Sequence, residues 1–348
     1  MSFGRTASST TTPPLNDIDL ANPPEDTVSD LAFSSQGEFL SVSSWDSKVR
    51  VYQIMGDGSS QGKAMYEHQG PVLSTRWTGD GTKIVSGGCD KAVKLYDVAS
   101  GQSTQIGAHN EPVSVVRFAE CGNSNTPVIV SGSWDKTLKY WDMRSPNPVS
   151  TIELPERCYV MDTRRKLLVC GTAEKKFVII NLDNPTVKFK ETTSPLKWQT
   201  KSISCFVEGD GYAVGSIEGR LSVQYVSDEN QKKAFSFKCH RENVTDRGRT
   251  KNRLYSLNQI CFHPVQGTFV TAGSEGNLSF WDKDSKHRLK SYQSIGTPIT
   301  AANFNNNGSI FAYAIGYDWS KGYTYSKPDN PVGIKIHAVK DEEVKRKS

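Results

Sequence analysis

The sequence has no long hydrophobic run, and this absence argues against one large class of proteins. Its 348 residues contain no stretch of about 18 apolar residues, so no transmembrane helix is predicted. The N-terminal segment MSFGRTASSTTTPP also lacks the apolar core of a secretory signal peptide. We therefore expect a chain that is neither secreted nor inserted into a membrane.

Cysteine is present but forms neither a metal-binding nor a disulfide pattern. The seven cysteines are scattered along the chain, and no two of them form a C-x-x-C pair. Their odd number also argues against a complete disulfide framework. We predict reduced, buried thiols in the cytosol or nucleus, with no metal ion and no cofactor.

Catalytic signatures are missing as well. The chain contains no G-x-x-x-x-G-K-S/T, no H-E-x-x-H and no G-x-S-x-G motif. The formal net charge of +5 is only mildly basic, so it permits an anionic partner without requiring one. We predict a protein that is not an enzyme.

One pattern recurs seven times along the chain. Each copy is a β-rich run, a step of small residues, an acidic turn residue and a second alternating run, as in VIVSGSWDKTLKYWD (128–142). The acidic turn residues recur about every 44 residues and are Asp46, Asp90, Asp135, Glu174, Glu218, Glu275 and Asp318. Further strands that end in glycine turns bring each unit to about four strands. This period predicts an all-β, seven-bladed β-propeller.

The ends of the chain suggest how the propeller closes. The last repeat runs to GIKIHAV (333–339) and needs an outer strand, which DIDL (17–20) can provide. We therefore expect a propeller over residues 16–337, closed by an N-terminal strand in the last blade. Residues 1–15, rich in Ser, Thr and Pro, are predicted to be disordered, and residues 338–348 to be a charged, mobile tail.

Some residues have the types of a catalytic triad, but they recur from one repeat to the next. The dipeptides Trp141-Asp142 and Trp281-Asp282 place the repeats in the WD40 group, whose blades hold a buried network of His, Ser, Asp and Trp. An active site would not normally be duplicated one blade along, so we predict a structural role. The predicted network residues are His68, Ser86, Asp90, His109, Ser131, Asp135 and Trp141, with Tyr96 at the tryptophan position of the earlier repeat.

The fifth repeat differs from the others at its turn, which reads Glu218-Gly219-Arg220. A guanidinium group presents a planar fork that suits a carboxylate or a phosphate. Arg220 therefore has two interpretations. It pairs with an acidic residue of the propeller itself, or it receives an anionic partner.

A basic insertion follows the fifth repeat. The stretch FSFKCHRENVTDRGRTKNRLY (235–255) contains six Lys or Arg residues against two acidic ones. One interpretation is a solvated loop, since long insertions are tolerated. The other is an arm that contacts an anion such as nucleic acid, with Phe237 and the stretch WDKDSKHRLK (281–290) beside it.

Several stretches are more specific than a WD repeat. They are GSWDKTLKYWD (132–142), LPERCYVMD (154–162), SPLKWQTKS (194–202), SIEGRLSVQY (216–225), FKCHR (237–241), FHPVQGT (262–268), SFWDKD (279–284) and YDWSKG (317–322). Together they resemble the nuclear mRNA export factors that act at the nuclear pore, in their fungal form. The related mitotic checkpoint propellers share SIEGR and KCHR elements but not YDWSKG.

The resemblance implies a peptide partner and a location. Both families bind an acidic-aliphatic peptide, the GLEBS motif, which in the export family belongs to an FG-repeat nucleoporin and lies across the top face of the propeller. The resemblance assigns Arg220, with Glu218 in the same turn, to this peptide. It also implies a monomeric propeller that enters a complex, located in the nucleus and at the nuclear pore or envelope, with shuttling to the cytoplasm.

The resemblance further implies contact with RNA or messenger ribonucleoprotein at the side of the propeller. The matching residues, together with those of the basic insertion, are Phe237, Lys238, Arg241, Arg247, Arg249, Lys251, Trp281, Lys283 and Lys286. Two alternative functions remain open. One is a spindle checkpoint adaptor that binds GLEBS-like kinase peptides, and the other is a substrate receptor of a ubiquitin ligase.

Overall fold

The computed structural model describes residues 17–123, 125–145, 147–246 and 249–346. Within these ranges the chain forms seven four-stranded antiparallel sheets and one separate two-stranded sheet. The predicted seven-bladed β-propeller is therefore confirmed. The predicted disordered tail (1–15) and Arg247 lie outside the described residues.

The strands follow one another in chain order, four to a blade. Blade one contains β2 (Val28–Phe33), β3 (Phe39–Ser44), β4 (Lys48–Ile54) and β5 (Ser60–Glu67). Blade two contains β6 (Val72–Trp77), β7 (Lys83–Gly88), β8 (Ala92–Asp97) and β9 (Gln102–Ala108). Blade three contains β10 (Val113–Cys121), β11 (Thr126–Ser133), β12 (Thr137–Trp141) and β13 (Pro148–Glu153). Blade four contains β14 (Cys158–Arg164), β15 (Leu167–Thr172), β16 (Lys176–Asn181) and β17 (Lys188–Thr193). Blade five contains β18 (Thr200–Cys205), β19 (Gly211–Ser216), β20 (Arg220–Tyr225) and β21 (Phe235–Lys238). Blade six contains β24 (Leu257–Phe262), β25 (Phe269–Gly273), β26 (Leu278–Asp282) and β27 (His287–Ser291). Blade seven is β28 (Ile299–Phe304), β29 (Ile310–Ile315), β30 (Gly333–Ala338) and β1 (Ile18–Asp19).

The remaining elements lie between or outside the blades. The basic insertion forms a hairpin of its own, β22 (Arg241–Asp246) paired with β23 (Arg249–Leu254), rather than an irregular loop. The short helices are the 3-10 turns Ala173–Lys175, Asp228–Lys233 and Tyr323–Tyr325, and α1 (Asp341–Val344).

The N-terminal strand closes the ring, as the sequence predicted. In β1, Ile18 and Asp19 pair with Ile336 and Lys335 of β30. The Leu20 N–H extends the ladder by donating to the Ile334 carbonyl at 2.8 Å. Blade seven therefore contains strands from both ends of the chain.

The C-terminal segment differs from the mobile tail that was expected. Helix α1 packs against β26 and β27, and Glu343 and Val344 are buried. The Val344 carbonyl accepts a hydrogen bond from the Thr268 hydroxyl at 2.8 Å. The seven charged residues of 338–348 suggested solvent exposure, but the apolar Val344 packs in the same cluster as Leu289 and Tyr292.

The hydrophobic core is divided among the blades. The described residues form seven apolar clusters, each shared by two neighbouring blades. Because each sheet buries its faces against its neighbours, no blade has a complete core alone. This arrangement leaves two open faces. The top face carries the turns between the second and third strands of each blade, and the bottom face carries the turns between the first and second strands.

Candidate functional site

The predicted network of blade three is present and fully paired. His109 lies between the Asp135 carboxylate, 2.9 Å from its Nδ1, and the Ser131 hydroxyl, 2.7 Å from its Nε2. Trp141 donates its indole N–H to the same hydroxyl at 2.7 Å. Burial lowers the pKa of His109, and although burial raises that of Asp135, hydrogen bonds from Thr137 and others bring it below its usual value. A neutral imidazole therefore meets a carboxylate that serves as a structural acceptor.

Blade two repeats this network with one difference. His68 again lies between Asp90, at 2.9 Å, and Ser86, at 2.8 Å. The aromatic donor to Ser86 is Tyr66 of the preceding blade, at 2.9 Å, and not Tyr96 as the sequence suggested. Tyr96 instead stacks on Tyr66 with ring centroids 4.7 Å apart. Tyr96, at the position equivalent to Trp141, therefore contributes packing, and the hydroxyl that bonds Ser86 comes from Tyr66 of the neighbouring blade.

Blade six contains a third copy of the network, which the sequence analysis missed. Trp281 donates to the Thr271 hydroxyl at 2.9 Å, and His240 Nδ1 contacts Glu275. The signal was available, since KCHR precedes this blade and Glu275 was recognised as its turn residue. This copy is incomplete, because His240 Nε2 and Glu275 Oε2 are buried and have no hydrogen bond with the described residues.

The turn of blade five holds Arg220 beside the chain that connects blades five and six. Gly219 adopts a left-handed backbone with φ of 63°, and a Cβ atom there would collide with the His240 carbonyl. Lys136 has nearly the same φ at the corresponding position of blade three. The glycine therefore serves the close approach of the connecting chain as much as the turn.

Arg220 has no acidic partner among the described residues. Its Nε is buried without a hydrogen bond, and the carboxylate nearest in sequence, Glu218, pairs instead with Arg241 at 3.2 Å. Both side chains of that pair are largely buried. Of the two interpretations of Arg220, an ion pair with an acidic residue of the propeller is therefore not found among the described residues.

Buried polar atoms without hydrogen bonds concentrate around this turn. Within the described ranges, such atoms on the top side of blades five to seven and their connections belong to Thr200, Ser216, Glu218, Arg220, His240, Arg241, Ser256, Asn258, Glu275, Asn277 and Thr300. Elsewhere in those ranges the same state occurs for Tyr140 Oη, and Arg50 Nη1 lacks a well-aligned hydrogen bond but forms an ion pair with Asp46 at 2.6 Å. Buried polar groups are normally paired, so a cluster of unpaired ones is typical of a surface that receives a polar ligand.

A groove of about 850 Å³ adjoins the cluster along the top edge of blade six. The connecting chain with Arg241 and the hairpin form one wall, and the long turn of blade seven with Tyr317 and Tyr325 forms the other. Nearer the propeller axis, the top face exposes Trp45, Trp134 and Trp319, which the sequence analysis did not assign to a site. Exposed aromatic rings beside unpaired polar groups are typical of a peptide-binding surface.

The predicted RNA-contacting aromatics are largely buried. Phe237 and Trp281 are 3% and 5% exposed, and their ring centroids lie 4.8 Å apart in the core between blades five and six. In this conformation neither ring offers a face on which a base could stack. Phe235, two residues before Phe237 on the same face of β21 with its ring centroid 6.1 Å away, is partly exposed.

Cations cover these rings from outside. The Lys286 ammonium lies 4.8 Å from the Phe235 ring centroid, and the exposed Arg288 guanidinium lies 5.9 Å from that of Trp281. Arg288 was not singled out from the sequence, although it lies within the stretch that was. Together with exposed Lys238, these residues form a basic patch at the outer side of blades five and six.

The other predicted basic residues separate into different environments. Lys283 is buried, pairs with Asp284 at 2.9 Å and lies 5.1 Å from the Phe206 ring. Arg249 and Lys251 are exposed on the hairpin, where Arg249 lies opposite Asp246 in the backbone register. Lys283 is therefore apart from the basic patch.

In the described part, no helix has the length and apolarity needed to cross a membrane.

Comparison with known proteins assigns the chain to a family. The family profile "WD domain, G-beta repeat" matches residues 20–53, 59–97 and 101–142. Homologues extend this match to the whole chain.

The alignments with these relatives cover nearly the whole length of each relative and of this chain. The chain is 52% identical to "Poly(A)+ RNA export protein" of Schizosaccharomyces pombe, over 98% of this chain and 95% of the relative. It is 50% identical to "mRNA export factor GLE2" of Chaetomium thermophilum, over 99% and 97%. It is 46% identical to "Protein Rae1" of Drosophila melanogaster, over 98% of both chains. The chain therefore belongs to the family of WD-repeat mRNA export factors.

Proposed function

We propose that this chain is a non-enzymatic adaptor in mRNA export at the nuclear pore. It docks on an FG-repeat nucleoporin through a GLEBS peptide bound to the top face, and it contacts RNA through basic residues at the side. The observation that carries the proposal is the full-length identity of 52% to a protein named for poly(A)+ RNA export. Localisation in the nucleus and at the nuclear pore, with shuttling to the cytoplasm, follows from the same role.

Arg220 is the proposed receptor for a peptide carboxylate. Its guanidinium has no carboxylate partner among the described residues, and its Nε is already buried. A guanidinium in this state can gain a charge-assisted, bidentate pair without first breaking one. Glu218 contributes indirectly, because its pair with Arg241 at 3.2 Å holds the connecting chain against the turn. We therefore assign Glu218 a positioning role, beside the direct role of Arg220.

The RNA-contacting surface is proposed to be the basic patch and the adjoining hairpin. Lys286 lies over the partly exposed Phe235 and Arg288 over Trp281, Lys238 is exposed at the end of β21, and the hairpin carries Arg249 and Lys251. Cations tracking a phosphate backbone bind without sequence preference and with strong salt dependence. Arg241 and Lys283 are less suited to this role, because each already pairs with a carboxylate.

Depletion and rescue in cells test the proposed function. Depletion of the protein is expected to cause poly(A) RNA to accumulate in the nucleus. The wild-type chain and Lys176→Glu should restore export, whereas Arg220→Glu should not. Lys176 is the matched control because it begins the third strand of blade four, as Arg220 does in blade five.

Other phenotypes would contradict the proposal. Normal poly(A) RNA distribution with a missed mitotic arrest would favour a checkpoint adaptor. Stable co-purification with a cullin adaptor, together with normal export, would favour a ubiquitin-ligase receptor.

A further inference from the structure

A second cavity opens on the bottom face, opposite the proposed peptide surface. It has a volume of about 340 Å³ and lies at the bottom mouth of the central channel. The turns between first and second strands, with Ser34, Pro264 and Asn306, form its rim. Its size falls within the lower range of small-molecule sites, which are often concave and few in a protein.

The cavity lining has a surplus of positive charge. The charged residues that line it are Arg76, Arg117, Arg164 and Asp162. Arg76 is paired with Asp30, 2.6 Å from its Nη1, and Arg117 with Asp162 at 3.2 Å, so each of these two guanidinium groups faces a carboxylate. Among the described lining residues, the charge in excess of these pairs is that of Arg164. Burial and the neighbouring Arg76 lower the pKa of Arg117, as expected where two cations are held close together.

Each of these arginines has N–H groups to spare. Arg117 uses Nε towards Asp162, at 3.2 Å, and Nη1 towards Ser74 and a carbonyl, which leaves Nη2 without a bond to the described residues. Within the described ranges Arg76 makes its hydrogen bonds through Nη1 alone. The side chain of Arg164, exposed at the end of β14, makes no hydrogen bond or ion pair with the described residues. These donors suit an oxyanion, since guanidinium groups bind phosphate in a planar, bidentate way.

The rest of the lining suits a hydroxylated body. Hydroxyl and amide side chains are supplied by Ser35, Ser204 and Asn303. Asn303 accepts from the Phe33 N–H at 3.3 Å, and its amide NH₂ makes no hydrogen bond within the described ranges. Trp77 and Phe118 add apolar walls. Donors for hydroxyl oxygens thus lie beside the cationic floor.

We propose that the bottom mouth of the channel binds a small, phosphate-bearing, hydroxylated molecule of sugar-phosphate size. The phosphate lies between Arg117 and Arg164, with Arg76 behind it, and the hydroxyl groups face the serine and asparagine side chains. The lining of this site has no residue in common with the groove along blade six, so a peptide in that groove and a bound phosphate compound do not compete.

Calorimetric titration of the full chain tests the site, with ribose 5-phosphate as the probe in a phosphate-free, low-salt buffer. The expected result is saturable binding that Arg164→Gln weakens about tenfold or more, the usual loss when a charged hydrogen bond is removed. Arg165→Gln is the matched control, because Arg165 is the next residue of the same turn and does not line the cavity. Both exposed positions should tolerate glutamine, and equal thermal midpoints would verify this.

Four results would overturn the proposal, and three of them concern the sugar probe and the two variants. They are no binding up to about 10 mM probe, equal affinity in the two variants, and binding of unphosphorylated ribose as tight as that of the probe. Inorganic phosphate is titrated in parallel. If it binds as tightly as ribose 5-phosphate, the hydroxylated body is wrong and the proposed ligand class fails.

Discussion

Two residues at corresponding positions show how one turn serves two purposes. In blade three the Asp135 carboxylate accepts from the Thr137 N–H at 3.0 Å and also holds His109, so all of its partners are internal. In blade five the turn residue Glu218 contacts Arg241, and Arg220 stands where Thr137 does. The Asp135 turn has its hydrogen bonds within the propeller, whereas the Arg220 turn has a buried N–H donor, Arg220 Nε, that is available to a partner.

The network of blade three should be important for stability. Ser131→Ala removes the hydroxyl that bonds both His109 and Trp141, so two buried ring nitrogens lose their partner. We expect the free energy of unfolding to fall by about 1–3 kcal/mol per atom left unpaired. Urea unfolding of the variant measures this, with the exposed Ser103→Ala as control. A variant as stable as the control would show that the network is dispensable.

At the scale of elements, the hairpin β22–β23 is a two-stranded sheet that belongs to no blade. Its backbone register sets Glu242 opposite Arg253 and Asp246 opposite Arg249. Cross-strand pairs of opposite charge stabilise a hairpin and reduce the charge left for a partner. Where such neighbours pair, fewer cations remain for RNA than the composition of residues 235–255 suggests.

Salt dependence of RNA binding tests the hairpin. The triple variant with Arg247, Arg249 and Lys251 changed to alanine should lower the magnitude of the slope of log affinity against log salt by up to about 2 units, through fewer released counterions. Filter binding of single-stranded RNA at several salt concentrations measures the slope. Lys63→Ala, on the exposed outer strand of blade one, is a control that should keep it. A parental slope in the triple variant would exclude the hairpin as an RNA contact.

Elements that depend on interactions between residues close in sequence could be predicted, whereas contacts between residues far apart in sequence could not. The turns and strands of each repeat depend on local residues such as Asp135, so their number and order could be predicted. The donor to Ser86 could not, because Tyr66 comes from the neighbouring blade and its reach depends on how blades pack. The packing of Val344 was missed for the same reason, since nothing in a charged tail reveals a gap beside Leu289.

The candidate site was predictable only in part. Arg220 was identified because its repeat departs from the others. The burial of Phe237 and Trp281 was not foreseen, since an aromatic residue that packs between blades has the same local sequence as one that faces a ligand. Arg288 was overlooked because its contact with Trp281 arises from the pairing of β26 with β27.

On the scale of the whole molecule, an ionic cluster joins the two ends of the chain. His337 of β30 lies 2.8 Å from Asp17, before β1, and 3.1 Å from Glu343 of α1. Burial alone would lower the pKa of His337, but hydrogen bonds to Asp17 and Glu343 outweigh it and raise the pKa to about 9. Tyr292 and Tyr313 complete the cluster by donating to Glu343 and Asp17.

The sign of the resulting pH dependence follows from this raised pKa. The unfolded chain has an ordinary histidine pKa near 6.5, so the contribution is fully present below about pH 6.5 and is lost as pH rises towards 9. It amounts to at most about 3 kcal/mol. The difference in unfolding free energy between wild type and His337→Gln should shrink over this interval. Lys335→Gln, whose ion pair on the same strand is more exposed, should show no such change. A constant difference for His337→Gln would contradict the account.

The central claim is that the top face is a peptide-binding surface whose key cation is Arg220. Calorimetric titration of the full chain with a GLEBS peptide, in parallel with Arg220→Glu and Lys176→Glu, tests it most directly. The account predicts tight binding by the wild type and by Lys176→Glu, and a loss of about 2–5 kcal/mol in Arg220→Glu, because a buried carboxylate would lose its partner. An unchanged dissociation constant in folded Arg220→Glu, or no binding by the wild type, would contradict it.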